Sequence, residues 1–320
     1  MASSGASRRE NPRAENSRAE ASRTAWQAYA MLTLATLAWG GNVVASRYAI
    51  GEVSPMALTG LRWAVVVVIF LALGPRKLAA DWPLMRPHWR FAMLMGAGGY
   101  TVFSAMLFLA AYFTPAVNLA ILQGAMPAMV LLGALVAHGT RATPTQILGV
   151  SITLVGVLVV ATKGDAGAIV GFGFNVGDLL MLFGCACYSA YTLALRQRPD
   201  MPAMSFFFLM AAGACITSLP LMGIEAWLGK LQWPTLQGWA VVLFVGLGPS
   251  LIAQRAFMRG VELIGPGRAG LFVNLVPIFG AFFSVVLLGG TFAAFHAVAL
   301  GLVIVGILLA ERGMSPQRKT

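Results

Sequence analysis

Gln123 stands one turn before Pro127, and about 150 residues later Asn274 stands just before Pro277, each pair inside a stretch of helix length that is otherwise apolar. A proline removes a backbone donor and frees the carbonyl four residues earlier, so an amide beside it can bind a solute or reseal the helix. For Pro127 the freed carbonyl belongs to Gln123 itself. Both amides are candidate solute contacts, and both prolines are candidate hinges. Arg62 lies within another apolar stretch, where its guanidinium could offer a carboxylate a two-pronged donor or serve helix packing. Trp39, Tyr100, Phe103, Tyr188 and Tyr191 supply rings that suit an apolar or aromatic solute by stacking and burial, with Asn42 and Gln254 as further polar contacts. The same rings and amides would also serve helix-to-helix packing.

Several chemistries lack their residues. No Asp or Glu falls deep in an apolar stretch: Glu52, Asp178 and Glu225 come at or beyond one set of ends, Glu262 and Glu311 at the other. Carriers driven by protons usually keep a titratable carboxylate or histidine in the path, so gradient-driven facilitation is expected. His88, His138 and His296 are scattered, unlike the clustered acids, histidines or ligands of a membrane-embedded enzyme. Cys185, Cys187 and Cys215 have neither zinc spacing nor a disulfide framework, and no phosphate-cradling glycine loop occurs. No metal and no cofactor is expected.

The elements that carry these residues follow from composition. Hydrophobic residues form 58% of the chain and charged ones 10%, too few for the surface of a soluble core. Between Arg90 and Arg141, and between Arg268 and Glu311, there is no charge at all. Each gap holds two spans at roughly 20 residues per span. Backbone groups in lipid must be bonded within their own segment, so the spans are helices. The expected fold is an all-α membrane protein with ten spans, near 27–46, 55–74, 91–113, 116–137, 144–162, 178–196, 203–223, 238–258, 266–288 and 292–311. Residues 1–25, rich in Ser, Ala, Arg and Glu, read as a disordered tail, and 312–320 as a second tail.

Charge placement sets the orientation. With ten spans, one face collects the tail arginines, Arg76, Lys77, Arg86, Arg90, Arg141, Arg196, Arg198, Arg259, Arg312, Arg318 and Lys319, and the other only Arg47, Lys163 and Lys230. That pattern puts both termini in the cytoplasm and makes the net charge of +11 a topology signal, not a nucleic-acid patch.

The chain also matches itself. At an offset of about 150, Trp89 meets Trp239, Gly96 meets Gly246, Gly98 meets Gly248, Pro127 meets Pro277 and Gly156 meets Gly306. One residue shorter, Trp39 falls on Tyr188 and Arg47 on Arg196. Two five-helix units, 26–164 and 175–311, are expected. Five is odd, so the second unit enters the membrane from the opposite side, and the solute path should run between the halves near the midplane.

Trp39-Gly40-Gly41-Asn42 with Arg47, Leu61-Arg62-Trp63, the proline-centred fourth and ninth spans, and Gln146-x-x-Gly149 with Gly156 resemble EamA-type members of the drug/metabolite transporter superfamily. The likeness covers roughly residues 28 to 311 and extends to bacterial amino-acid exporters, including those for aromatic amino acids. It departs from them where many members carry Gly-Glu: this chain has His138-Gly139-Thr140 and Gly289-Gly290-Thr291. The resemblance implies an inner-membrane exporter of small metabolites, amino acids with apolar or aromatic side chains foremost, whose partners are its solute and the bilayer. Cationic drugs and anionic or nucleotide-activated metabolites remain alternative cargoes. Monomer and homodimer both stay open.

Overall fold

The computed structural model describes residues 12–138, 143–165 and 175–312, and every regular element among them is helical. The far termini and the 139–142 stretch, including part of the His138-Gly139-Thr140 departure, lie outside the described residues. The helices form successive rods: α1 (Pro12–Tyr48), α2 (Pro55–Leu73), α3 (89–110), α4 (116–138), α5 (Pro144–Ala161), α6 (Val176–Ala194), α7 (Ala203–Trp227), α8 (Leu236–Ile264), α9 (266–288) and α10 (Ala294–Arg312). A linker helix, Pro75–Met85, precedes α3. Among the described residues, eight helices are long and apolar enough to cross a membrane, and two shorter apolar helices follow, Leu275–Leu288 and Ala294–Ala310.

Local sequence explains the ends. Proline opens α2, the linker helix and α5, where its missing N–H would be unpaired anyway. The α1 helix begins at Pro12, inside the segment expected to be disordered. Its Ala, Glu and Arg content favours a helix once a long apolar helix continues it.

The principal pairings have a two-fold pattern. They are α5 with α10, α2 with α7, α4 with α9, α1 with α8 and α9, α6 with α3 and α4, and α7 with α3 matched by α2 with α8. Exchanging each rod for the one five places along maps this set onto itself. The irregularities obey the same exchange. Gly96–Val102 in α3 and Gly246–Ile252 in α8 are π-helical, at an offset of 150 residues. In α4 the helix tightens to a 3-10 turn at Gln123–Ala125, and α9 breaks at Asn274.

Close approach explains several of the glycines. A Cβ on Gly306 of α10 would stand 2.5 Å from the Gly149 carbonyl and 2.6 Å from the Thr153 nitrogen of α5. A Cβ on Gly96 would stand 2.9 Å from the Ala214 nitrogen of α7.

One acid assigned only to a helix end has a definite task. Glu225, near the end of α7, is 8% exposed, accepts the Ser54 hydroxyl at 2.6 Å and the N–H groups of Met56 and Ala57 at 3.3 Å, and so caps α2. Glu225→Ala is expected to destabilise the fold by about 1–3 kcal/mol. Glu225→Gln, which keeps an acceptor, should lose less. Denaturant titration of the purified protein in micelles measures both.

Candidate functional site

Arg62 is the only strongly buried cation on α2, at 5% exposure. Its Nε and Nη2 donate to the Ser250 hydroxyl at 2.9 and 2.7 Å, and its Nη1 to the Ser104 hydroxyl at 3.2 Å. The guanidinium carbon stands 5.1 Å from the Trp63 ring centroid and 5.5 Å from that of Phe108. No carboxylate pairs with it among the described residues. A buried charge is costly without a partner, and here serine hydroxyls and ring faces share that role. Ser250 is held by the π-helical turn of α8, its own hydroxyl donating to the Val245 carbonyl at 2.8 Å. Three of the five guanidinium N–H groups are thereby used, which leaves two for another acceptor.

Beside Arg62 the aromatic candidates meet in one cluster. Trp63 stacks on Tyr100 with centroids 4.5 Å apart and planes 6° from parallel. Tyr100 lies 5.5 Å from Tyr191, Tyr191 5.3 Å from Tyr188, and Tyr188 5.1 Å from Phe103. The Tyr191 hydroxyl donates to that of Tyr100 at 3.3 Å. Gly99, in the π-helical turn of α3, makes room for Tyr191, since a Cβ there would reach its ring at 2.6 Å.

Trp39 is placed apart from that cluster. It lies half-buried 5.3 Å from Phe257, and its Nε1 donates to the Pro249 carbonyl at 3.0 Å. Pro249 and Gly99 are at an offset of 150, so each half sends a ring from its first rod onto the π-helical turn of the other half's third rod. Gln254 is half-buried just beyond that turn of α8.

The proline-linked amides differ from one another. Gln123, 8% exposed, turns its Nε2 back to the Leu119 carbonyl at 3.2 Å. Its own carbonyl accepts the Met126 N–H, so the acceptor freed by Pro127 is taken up by the 3-10 turn. Here resealing wins over an open acceptor. Asn274 is half-buried at the break of α9. The two breaks adjoin, because a Cβ on Gly124 would meet Pro277 at 3.6 Å.

Among the described residues, two buried side-chain atoms have no hydrogen-bond partner: Asn42 Oδ1 and Trp63 Nε1. Their residues are 6% and 4% exposed. Such an orphan costs about 1–3 kcal/mol and calls for an explanation, a ligand among them. Sequence reasoning selected Asn42, quoted Trp63 only within the Leu61-Arg62-Trp63 motif of the family resemblance, and passed over Ser104 and Ser250. That motif and its adjacency to Arg62 were the signals for Trp63.

The sequence matches one family model twice, the EamA-like transporter family, over residues 26–162 and 175–311. The chain belongs to that family. It is therefore a multi-pass membrane transporter. An uncharacterized transporter of Bacillus subtilis, YyaM, is 24% identical over 288 residues, covering 88% of this chain and 93% of that one. The aromatic amino acid exporter YddG of Ancylobacter novellus is 25% identical over 287 residues, covering 87% and 96%. A solved structure titled only as the crystal structure of a protein superposes with a TM-score of 0.60 at 23% identity, covering 88% of this chain and 96% of that one. That superposition speaks for the fold alone.

Proposed function

We propose that this transporter carries small metabolites, amino acids with apolar or aromatic side chains first among them, out of the cell by alternating access between two inverted halves. The observation that carries the reading is a buried arginine, with no acid partner among the described residues, beside an aromatic cluster and an orphan indole N–H. Arg62 and Trp63 offer donors for a carboxylate, Asn42 Oδ1 offers an acceptor for an ammonium group, and Tyr100, Tyr188 and Tyr191 offer rings for the side chain. The name of the Ancylobacter relative adds support for aromatic amino acids.

Ten crossings, counting both shorter helices, make each unit of five enter from the opposite side. The charge pattern favours cytoplasmic termini in an inner membrane. Facilitated movement is favoured because acids serve structure: Asp178 accepts the Thr114 hydroxyl at 2.9 Å, Glu52 the Thr235 hydroxyl, Asp81 the Ser205 hydroxyl, and Glu225 caps α2. The charge of Arg62, which pairs with no acid among the described residues, favours anionic metabolites as a second cargo class over cationic drugs.

Counterflow in proteoliposomes tests the reading. Vesicles loaded with unlabelled amino acids should accumulate trace labelled phenylalanine above protein-free controls, with no response to a pH gradient. Absence of accumulation by folded protein would reject amino acids as cargo. In the same assay Pro127→Ala and Pro277→Ala should slow exchange, and unchanged rates would remove the hinge role.

A further inference from the structure

A polar cavity of about 390 Å3 lies away from the aromatic cluster, at the end of the bundle where α1 finishes. Arg47 of α1, Asn118 of α4, Lys163 after α5, Ser284 of α9, Thr291 and His296 contribute its polar lining. It has two cations and no acid. Arg47 donates to the Ala111 carbonyl, and neither cation forms a salt bridge among the described residues. Asp165 and Asp178, at the adjoining ends of α5 and α6, do not line it, although the Asp178 carboxylate lies close enough to Lys163 to feel its charge.

His296 is 5% exposed and in the first turn of α10, with its ring against Phe292 and Phe295. Its Nδ1 accepts the Ala293 N–H at 3.0 Å, which requires a lone pair there. The ring proton therefore sits on Nε2, which donates to Asn118 Oδ1 at 3.0 Å. The Asn118 amide nitrogen makes no hydrogen bond to the described residues.

The first half has the same bond in a form that cannot titrate. At an offset of 150, Gln146 Oε1 accepts the Thr143 N–H at 2.9 Å and caps α5 as His296 caps α10. Protonating His296 turns its acceptor into a donor facing a donor. It also adds a third positive charge to a cavity already holding two, which an entering anion would balance.

We propose that this cavity is a binding site for a small carboxylate or comparable anion, which it takes up as His296 gains a proton. A free solute and the phosphate of a lipid headgroup present the same chemistry.

The test titrates the full chain, in nanodiscs of zwitterionic lipid, with benzoate by calorimetry at about pH 7.5 and about pH 5.5, either side of the ordinary imidazole range. Binding should tighten about tenfold at the lower pH. Lys163→Gln, a surface change, should weaken it at both. His296→Gln copies the Gln146 cap, and should bind benzoate with no response to pH. Discs containing phosphatidylglycerol separate the sources: a headgroup in the cavity weakens benzoate binding, and a site for free anions leaves it unchanged. No saturable binding at either pH, unchanged affinity in Lys163→Gln, or full pH dependence in His296→Gln would overturn the proposal.

Discussion

Arg62→Lys is expected to lower transport by about ten- to a hundredfold while the protein remains folded. The guanidinium reaches Ser250 through two nitrogens and Ser104 through a third. A lysine ammonium is a compact charge that cannot hold both serines and still present a two-pronged donor to a solute. A hydrogen bond to a charged group contributes about 1.5–3 kcal/mol, and about 1.4 kcal/mol is a factor of ten. Arg62→Met should abolish transport altogether, since it removes the donors and keeps most of the length. Counterflow rates, with size-exclusion profiles and melting curves as controls, separate loss of transport from loss of fold. Transport by Arg62→Met at the parental rate would show that Arg62 is structural and contacts no solute.

Gly306→Leu is expected to have the opposite signature, loss of the folded protein. The crossing of α5 and α10 brings backbone against backbone: a Cβ on Gly306 would meet the Gly149 carbonyl at 2.5 Å and the Thr153 nitrogen at 2.6 Å. The obstacles are main-chain atoms, which cannot rotate aside, so the rods must separate. Overpacking typically costs about 1–3 kcal/mol even where side chains can yield. Here the cost should exceed that range, read as a loss of monodisperse protein on extraction. Gly301→Leu, five residues earlier on the same helix and with nothing within 4 Å of its Cβ position, should extract normally. Gly306→Leu extracting as well as Gly301→Leu would mean that α5 and α10 do not cross so closely in the membrane.

Much of the fold was legible because it is local. Apolar stretches of spanning length, prolines at their starts and the absence of charge fix helices without reference to any distant residue. The helix of α1 reaches back to Pro12 because Ala-, Glu- and Arg-rich segments, polar like disordered ones, propagate helix when joined to one. Glycines at an offset of 150 were legible too, but not that they would widen two turns into π-helix, since that depends on the rods packed against them.

The candidate site was only partly legible. The rings and amides could be selected by type, but not the company they keep. Arg62 meets Ser104 and Ser250, which lie 42 and 188 residues away, and Glu225 caps a helix that starts 170 residues earlier. By itself the sequence determined the helices, the repeat and the family, because periodicity, composition and order along the chain carry them. Only the tertiary structure decided that Gln123 bonds its own helix, that Trp63 and Asn42 keep unpartnered atoms, and that His296 caps α10 and faces Asn118. The physical reason is that a polar group in a low-dielectric bundle takes whichever partner the packing brings within about 3 Å, and that choice is made between rods.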